Sequence, residues 1–393
     1  MYVLTFLPGG FSIFNRKSNT PSGKSFGVQE RRYKAVKELI DKLYKNNMLE
    51  RHELLYLLDN MKEEDRKYLM DRACETRIRH YGRKVYMRGL IEFTNYCKRD
   101  CVYCGIRASN KKADRYRLSL EQIISACEQG YELGYRTFVL QGGEDSFYTD
   151  DRIVEMVTEI KKRFPLCAIT LSIGEKSYES YKKYFDAGAD RYLLRHETAS
   201  EELYNKLHPR ASFKNRIQCL KDLKAIGYQV GAGFMVGLPG QTNEDYVKDL
   251  MFLKELNPHM VGIGPFIPHK DTPLAGEKGG TVETTVTLLA IIRLLLPGVL
   301  LPATTALGTI DPFGREKGLK AGANVVMPNL SPKEVRKKYA LYDGKICTGD
   351  EAAECRRCIE GRIANAGFCV DMSRGDNKSW SRLAIRSPRV QGA

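Results

Sequence analysis

Three cysteines, Cys97, Cys101 and Cys104, stand within eight residues in the spacing Cys-x3-Cys-x2-Cys. The chain holds 11 cysteines, an odd number, and six of them fall in two groups of three. That bunching indicates metal ligands in a reducing compartment rather than disulfide partners. Three thiolates on one loop suit three irons of a cubane and leave the fourth open to a substrate, as an open zinc site keeps one position free. Closed zinc would need a fourth Cys or His; between Pro8 and Cys97 only His52, Cys74 and His80 offer one, and Cys127 falls in a helical pattern. Gly105 lets the backbone turn sharply beside the third cysteine. The second group, Cys347, Cys355 and Cys358, is spaced Cys-x7-Cys-x2-Cys. It reads as an auxiliary [2Fe-2S] or [4Fe-4S] cluster, with zinc as competitor because Cys369 could be a fourth ligand. Lys345, Arg356 and Arg357 would favour thiolates with either metal.

Ligands of this kind need a scaffold. From about residue 86 short apolar runs alternate with amphipathic stretches: 87–93, 137–141, 168–172, 191–195, 229–236, 260–264, 299–304 and 324–327. The period of about 30 residues is that of a βα unit. Eight such units predict an α/β protein, a (β/α)8 TIM barrel with an N-terminal helical extension and a short C-terminal cysteine-containing segment. A doubly wound sheet alternates similarly, so the strand count carries the choice. Ser119 with Gln122 reads as a capping box, and Gly134 and Gly227 as helix C-terminal glycines. The expected divisions are a loose leader (1–28), the helical extension (29–84), the barrel (85–342), an auxiliary-cluster segment (343–372) and a basic tail (373–393). In a barrel the strand C-termini build the active site. Here they carry polar and Gly-rich sequences, among them Gln141-Gly142-Gly143-Glu144, Ser172-Ile173-Gly174-Glu175 and Arg195-His196-Glu197.

Composition excludes other classes. With 42% hydrophobic and 28% charged residues, the chain is neither disordered nor short of core material. Its richest apolar run, 288–302, contains Arg293 and Pro297, which argues against a membrane span. The formal charge is +15, but residues 1–29 contribute three basic residues and no acid, and 373–393 five basic residues against Asp376 alone. Solvated basic ends explain that better than nucleic-acid binding, since no basic stripe is interleaved with aromatics. The start of the chain does not read as a signal peptide, which points to the cytoplasm; an organellar matrix is the alternative if the leader is a targeting segment.

The first cysteine motif directly after the first strand, with Gly142-Gly143-Glu144 after the second, resembles the radical S-adenosylmethionine (SAM) superfamily. The resemblance implies a [4Fe-4S] cluster whose open iron is chelated by SAM, and reductive cleavage of SAM to methionine and a 5′-deoxyadenosyl radical. It also implies that Gly142, Gly143 and Glu144 receive the SAM ammonium through backbone carbonyls. From about residue 85 to 360, the segments 91–97, 103–107, 191–198, 235–242, 262–269 and 302–306 are similar to the HydE family of [FeFe]-hydrogenase maturases. That similarity implies SAM contacts at Ser172, Glu197 and Arg216. A Glu can accept from ribose hydroxyls, and an Arg can hold a carboxylate in a bidentate fork. It further implies a substrate and anion cavity lined by Gln141, Thr170, Arg195, Thr304, Thr305, Met327 and Tyr342.

Taken singly, several of these residues have plainer readings. The two glycines fit a strand-to-helix turn, Arg216 a helix surface, the paired threonines a strand, and Met327 a core. His196 and His269 read as structural histidines. The implied substrate is a small iron- and sulfur-containing precursor of the hydrogenase H-cluster. The implied partners are a reducing electron donor such as ferredoxin or flavodoxin and other hydrogenase maturation proteins, with no membrane. Methylornithine synthase and biotin synthase share the scaffold. Sulfur insertion of the biotin type expects cysteines on the strands, whereas Cys127 and Cys219 fall in helical patterns and Cys167 precedes its strand. A zinc-bound basic nucleic-acid-binding protein is the reading from another class.

Overall fold

A computed structural model describes residues 23–382, with side chains from Arg32 onward. Eleven strands are assigned among these residues: β1 (Lys84–Met87), β2 (Gly89–Thr94), β3 (Thr137–Gly142), β4 (Ala168–Ser172), β5 (Arg191–Leu193), β6 (Gln229–Ala232), β7 (Met235–Val236), β8 (Met260–Val261), β9 (Gly264–Pro265), β10 (Val325–Val326) and β11 (Cys369–Asp371). A parallel ladder runs β2-β3-β4-β5-β6-β8. Single parallel pairings then complete the ring: Met260 with Leu300, Pro302 with Val325, and Asn329 with Leu90. The eight-stave barrel is therefore closed as expected.

The staves are less regular than their apolar runs suggested. The run 229–236 breaks at Gly233, where φ is +149° and a Cβ would stand 1.9 Å from the Gly262 carbonyl oxygen. The run 260–264 breaks opposite it, leaving the short pair β7 and β9 at the rim. The run 299–304 makes isolated bridges only, since Pro302 has no N–H to give a ladder. Thr304, the last residue of that run, and Thr305 after it form the N-cap and first residue of the helix Thr305–Ile310 rather than strand, the Thr304 hydroxyl accepting from Leu307 N. The first run divides at Arg88, and β1 leaves the barrel ladder to pair with β10 and β11.

Helices cover the barrel where the periodicity placed them, Leu120–Glu132, Asp150–Arg163, Tyr178–Ala187, Phe213–Ile226, Asn243–Leu256 and Val282–Leu295. The Ser119–Gln122 capping box forms, and Gly227 closes its helix in the left-handed conformation. Val139, Leu140, Ile169 and Leu171 are fully buried, as strands covered on both faces require. The extension comprises helices Gly23–Asn46, Arg51–Asn60 and Glu63–Tyr81. Residues 23–28, expected to be loose, are thus helical. The rest of the leader lies outside the described residues. Val36, Ile40, Leu43, Leu54, Leu57 and Leu69 are fully buried, each worth about 1.5–3 kcal/mol. The extension packs on the helices Asn243–Leu256 and Val282–Leu295 and so belongs to the barrel's core.

The tail differs most from expectation. Its first ten residues are not a wholly solvated end: Gly375 and Asn377 are buried, and the segment closes the floor of the barrel. Asp376 accepts from Arg191 and Gln229, both at 2.6 Å, and Asn377 donates to the carbonyls of His259 and Gly298, both at 2.9 Å. Trp380 Nε1 donates to the Gly227 carbonyl at 2.9 Å, and Arg382 reaches Asp190. The strand N-termini present Arg191 and Gln229 below the barrel, and Asp376 compensates that buried charge. Residues 383–393 lie outside the described residues.

Candidate active site

The loop 94–105 leaves β2 at the top of the barrel. Thr94 Oγ1 donates to Asp145 at 2.7 Å and accepts from Tyr96 N, while Asn95 Nδ2 donates to the carbonyls of Asp114 and Lys338. Downstream, Asp100 takes Arg107 Nε at 2.8 Å and Ser109 Oγ at 2.7 Å, and Cys104 N closes a turn on the Cys101 carbonyl. Cys97, Cys101 and Cys104 thus sit on one braced, half-buried loop. The Glu144 N–H points at Cys97 Sγ, 3.4 Å away, the kind of donor that stabilises a cluster sulfur. Burial, reinforced by the neighbouring sulfurs, pushes the Cys101 thiol up to about 12 and Cys104 higher still. Such thiols ionise when a cation compensates them, so metal loading would release protons. Among the described residues no three His, Cys, Asp or Glu side chains converge closely enough for a single metal ion.

Gly143 is required where it stands: a Cβ would lie 2.2 Å from the Tyr96 carbonyl oxygen and 2.7 Å from Cys97 Cβ. The Glu144 carbonyl accepts from Lys98 N at 2.9 Å, and the Gly143 carbonyl from Asp145 N at 2.9 Å. The Glu144 side chain accepts from Arg99 Nε at 2.7 Å and from the N–H of Glu175 at 3.0 Å. Ser172 ends β4, paired in register with Gln141.

Glu197 adopts φ +67°, a conformation unusual for a residue with a side chain, and is pinned by Gly233 and Met235 on either side. Behind it, buried His196 accepts Gly233 N–H at Nδ1 and faces Asp249 through Nε2 at 3.2 Å. Burial keeps His196 neutral, its pKa down to about 3, which supports the structural reading of this histidine. His269 packs against Gly105, where a Cβ would meet its ring at 2.4 Å.

Arg216 is not a free fork. Its Nε donates to Glu175 at 2.6 Å and its Nη1 to the Arg195 carbonyl at 2.6 Å. The side-on fork through Nε is therefore taken, and the N–H groups left for a ligand are those of Nη2 and the second one on Nη1. Glu175, which sequence reasoning passed over, joins Arg216 to Arg99 Nη2 (2.7 Å) and Asn215 Nδ2 (2.7 Å). Burial opposes its ionisation, but Arg216 and Arg99 outweigh that and hold the carboxyl below its usual range.

Inside the barrel lies a chamber of about 200 Å³. Six of the seven expected cavity residues line it: Gln141, Arg195, Thr304, Thr305, Met327 and Tyr342. Thr170 does not; it faces a separate small cavity at the floor with Arg88 and Arg191, its buried hydroxyl without a partner. Arg195 Nη2 and Glu197 Oε2 stand 3.0 Å apart, yet both, with Arg195 Nε, are buried without hydrogen-bond partners. Unsatisfied donors and an acceptor beside each other suit a polar ligand that offers both an acceptor and a donor, as the carboxylate and the ammonium or hydroxyl groups of SAM do. The chamber has further walls that the sequence did not single out as such: Glu92, Arg315 and Lys345.

Cys347 and Cys355 line the same chamber's far side. The Cys355 thiol and Arg315, whose Nη atoms lie 3.6 and 3.7 Å from Cys347 Sγ, lower the Cys347 pKa; Cys355 is raised correspondingly. Cys358 is exposed on the helix Ala352–Asn365. Cys369, the fourth ligand that the zinc alternative would need, sits on β11 opposite Lys84.

Residues 91–253 match the Radical SAM superfamily. The [FeFe] hydrogenase maturase subunit HydE of Thermotoga maritima is 51% identical over 295 residues, 75% of this chain and 84% of that protein. The 3-methylornithine synthase of Methanosarcina acetivorans is 33% identical over 305 residues, 77% of this chain and 86% of that protein. The crystal structure of a methylornithine synthase superposes with TM-score 0.75 at 28% identity, covering 85% of this chain and 97% of that one. That of HydG, a maturase of the [FeFe]-hydrogenase, superposes with TM-score 0.74 at 19% identity, covering 94% and 82%, a likeness of fold. A [4Fe-4S] cluster and SAM follow from the superfamily, and the cysteine loop, the Gly143 approach and the orphaned Arg195–Glu197 groups fit both. With this sequence identity and this thiol loop at the mouth of a closed barrel, the chain belongs to the HydE family of radical SAM enzymes.

Proposed function

We propose that this enzyme acts on a small iron- and sulfur-containing precursor during assembly of the [FeFe]-hydrogenase H-cluster, an iron–cysteine complex carrying CO and cyanide. The observation that carries the reading is the chamber: Thr304, Thr305 and Tyr342, which carry hydroxyls, and Arg195 and Arg315, which carry guanidiniums, line a space suited to a compact anion. When bound, the cluster and SAM supply a 5′-deoxyadenosyl radical. Cys97, Cys101 and Cys104 would hold the cluster, and Gly142, Gly143, Glu144, Ser172, Glu197 and Arg216 the SAM. The chain's own work is to orient the precursor's sulfur toward the cluster loop and to exclude water from it. Cys347, Cys355 and Cys358 would hold an auxiliary iron–sulfur cluster, accessory to turnover. A ferredoxin- or flavodoxin-like donor and other maturation proteins are the expected partners. No helix among the described residues is long and apolar enough to cross a membrane.

The similarity to 3-methylornithine synthase favours a second reading, a lysine mutase. In vitro maturation of apo-hydrogenase by a mixture of maturases lacking only their HydE component separates the two. Addition of this protein restores hydrogenase activity on the first reading. Failure to do so, with methylornithine formed from lysine, would establish the second.

A further inference from the structure

The chamber wall contains a buried ion pair with no place in the mechanism above. Glu92, on β2, is 1% exposed and takes Lys345 Nζ at 2.6 Å on Oε1 and Asn329 Nδ2 at 2.8 Å on Oε2. Lys345 also donates to the Tyr339 carbonyl at 2.9 Å and lies 4.9 Å over the Tyr339 ring. The Tyr339 hydroxyl in turn accepts from Gln141 Nε2 at 3.4 Å. Thus the pair joins the first stave to residues 339–347, a strap with no helix or strand of its own. The strap's backbone is anchored at two points, Gly105 N to the Leu341 carbonyl and Asp343 N to that of Pro268. It carries Tyr342 into the chamber and delivers Cys347 beside Arg315.

We propose that the Glu92–Lys345 pair is a latch that registers the 339–347 strap on β2, and so positions Tyr342 and Cys347 against the strand-end residues of the chamber. A buried ion pair is a poor source of net stability, because desolvation offsets the attraction, whereas the defined geometry it demands of its two chain segments specifies register. The pair is neutral as a unit, leaving Arg195 and Arg315 to set the chamber's charge toward a ligand. Glu92 and Lys345 are positioning residues: they act through Tyr342 and Cys347. The inference rests on the chamber being the substrate site.

The test uses the full chain, anaerobically reconstituted, with Lys345→Gln, Glu92→Gln, the Glu92→Gln/Lys345→Gln double variant and the charge-keeping Lys345→Arg. Hydrogen exchange read by mass spectrometry should rise at least about ten-fold across 341–347 in both single variants, with β3 and β4 unchanged. The double variant, which leaves no unpaired charge, should regain thermal stability yet keep the fast-exchanging strap. Lys345→Arg should restore protection. Turnover with the iron–cysteine precursor should fall about ten-fold in kcat, with KM for SAM unchanged. Unaltered exchange at 341–347 in the singles would overturn the proposal; so would a double variant that regains strap protection together with stability, for then charge balance alone is at work. Should the singles fail to fold, the double variant against the parent decides by the same criterion. If the exchange pattern holds but no precursor supports SAM cleavage, the latch stands and the substrate reading falls.

Discussion

Replacing Glu175 by Gln probes the rim of the SAM site without touching a cysteine. The carboxylate is 4% exposed at its side chain and holds Arg216 at 2.6 Å and Arg99 at 2.7 Å. Glutamine keeps one oxygen, but its amide hydrogens face donors, so at least one bond becomes a repulsion. Arg99 retains Glu144 at 2.7 Å and is partly solvated, which softens its loss. Arg216 keeps only the Arg195 carbonyl and is left a buried, uncompensated cation. Removing one partner of a buried pair costs about 3–5 kcal/mol, and the surviving bonds place this case near the lower end, about 3 kcal/mol. Because Arg216 also buttresses the Arg195 backbone, SAM affinity should fall about ten-fold while iron content is retained. Denaturant unfolding of the apoprotein reads the first effect, and equilibrium dialysis of SAM against the reconstituted enzyme the second. An unchanged unfolding midpoint together with unchanged SAM affinity would refute the argument that Glu175 organises the rim.

Three further outcomes are expected. Cys101→Ala should abolish SAM cleavage and Cys355→Ala largely spare it, measured as 5′-deoxyadenosine formed under a strong reductant; equal loss in both would end the accessory role of the second thiol group. Burial holds His208 down to about 3 and His259 to about 4, so both are neutral when folded and gain protons on unfolding below about pH 6.5. Their contribution is therefore complete above that pH and declines as pH falls toward 4, by about 3 kcal/mol for His259 alone; thermal midpoints of the apoprotein from pH 7.5 to 5 should drop, and less steeply in His259→Gln. Removing residues 373–393 should unfold or aggregate the protein by uncovering Arg191 and Gln229, whereas Asp376→Asn should destabilise it by about 3 kcal/mol, since Asp376 pairs buried Arg191. A truncated chain with an unaltered melting profile would contradict the floor-closing role.

What could be read from the sequence follows the range of the interactions. The cysteine loop is legible because its ligands lie within eight residues, and the staves because each is a local apolar run. Glu175 was not: its partner Arg216 is 41 positions away, and only the fold shows that the expected fork is engaged. Lys345 meets Glu92 across 253 positions, so nothing local marked either as a chamber wall. Thr304 and Thr305 have strand propensity, yet a hydroxyl that caps the following helix prevailed. The tail's basic composition suggested solvation; its single acid, Asp376, pairs Arg191 beneath the barrel, and Asn377 and Trp380 dock beside it. Thr170 alternates correctly on β4 but lies one cavity too deep to join the others.

The most direct test of the central claim is SAM cleavage by the anaerobically reconstituted protein under a strong reductant, with the candidate substrates compared side by side. Formation of 5′-deoxyadenosine should rise at least about ten-fold with the iron–cysteine complex carrying CO and cyanide, and not with lysine. A rise with lysine alone, accompanied by methylornithine, would contradict the account.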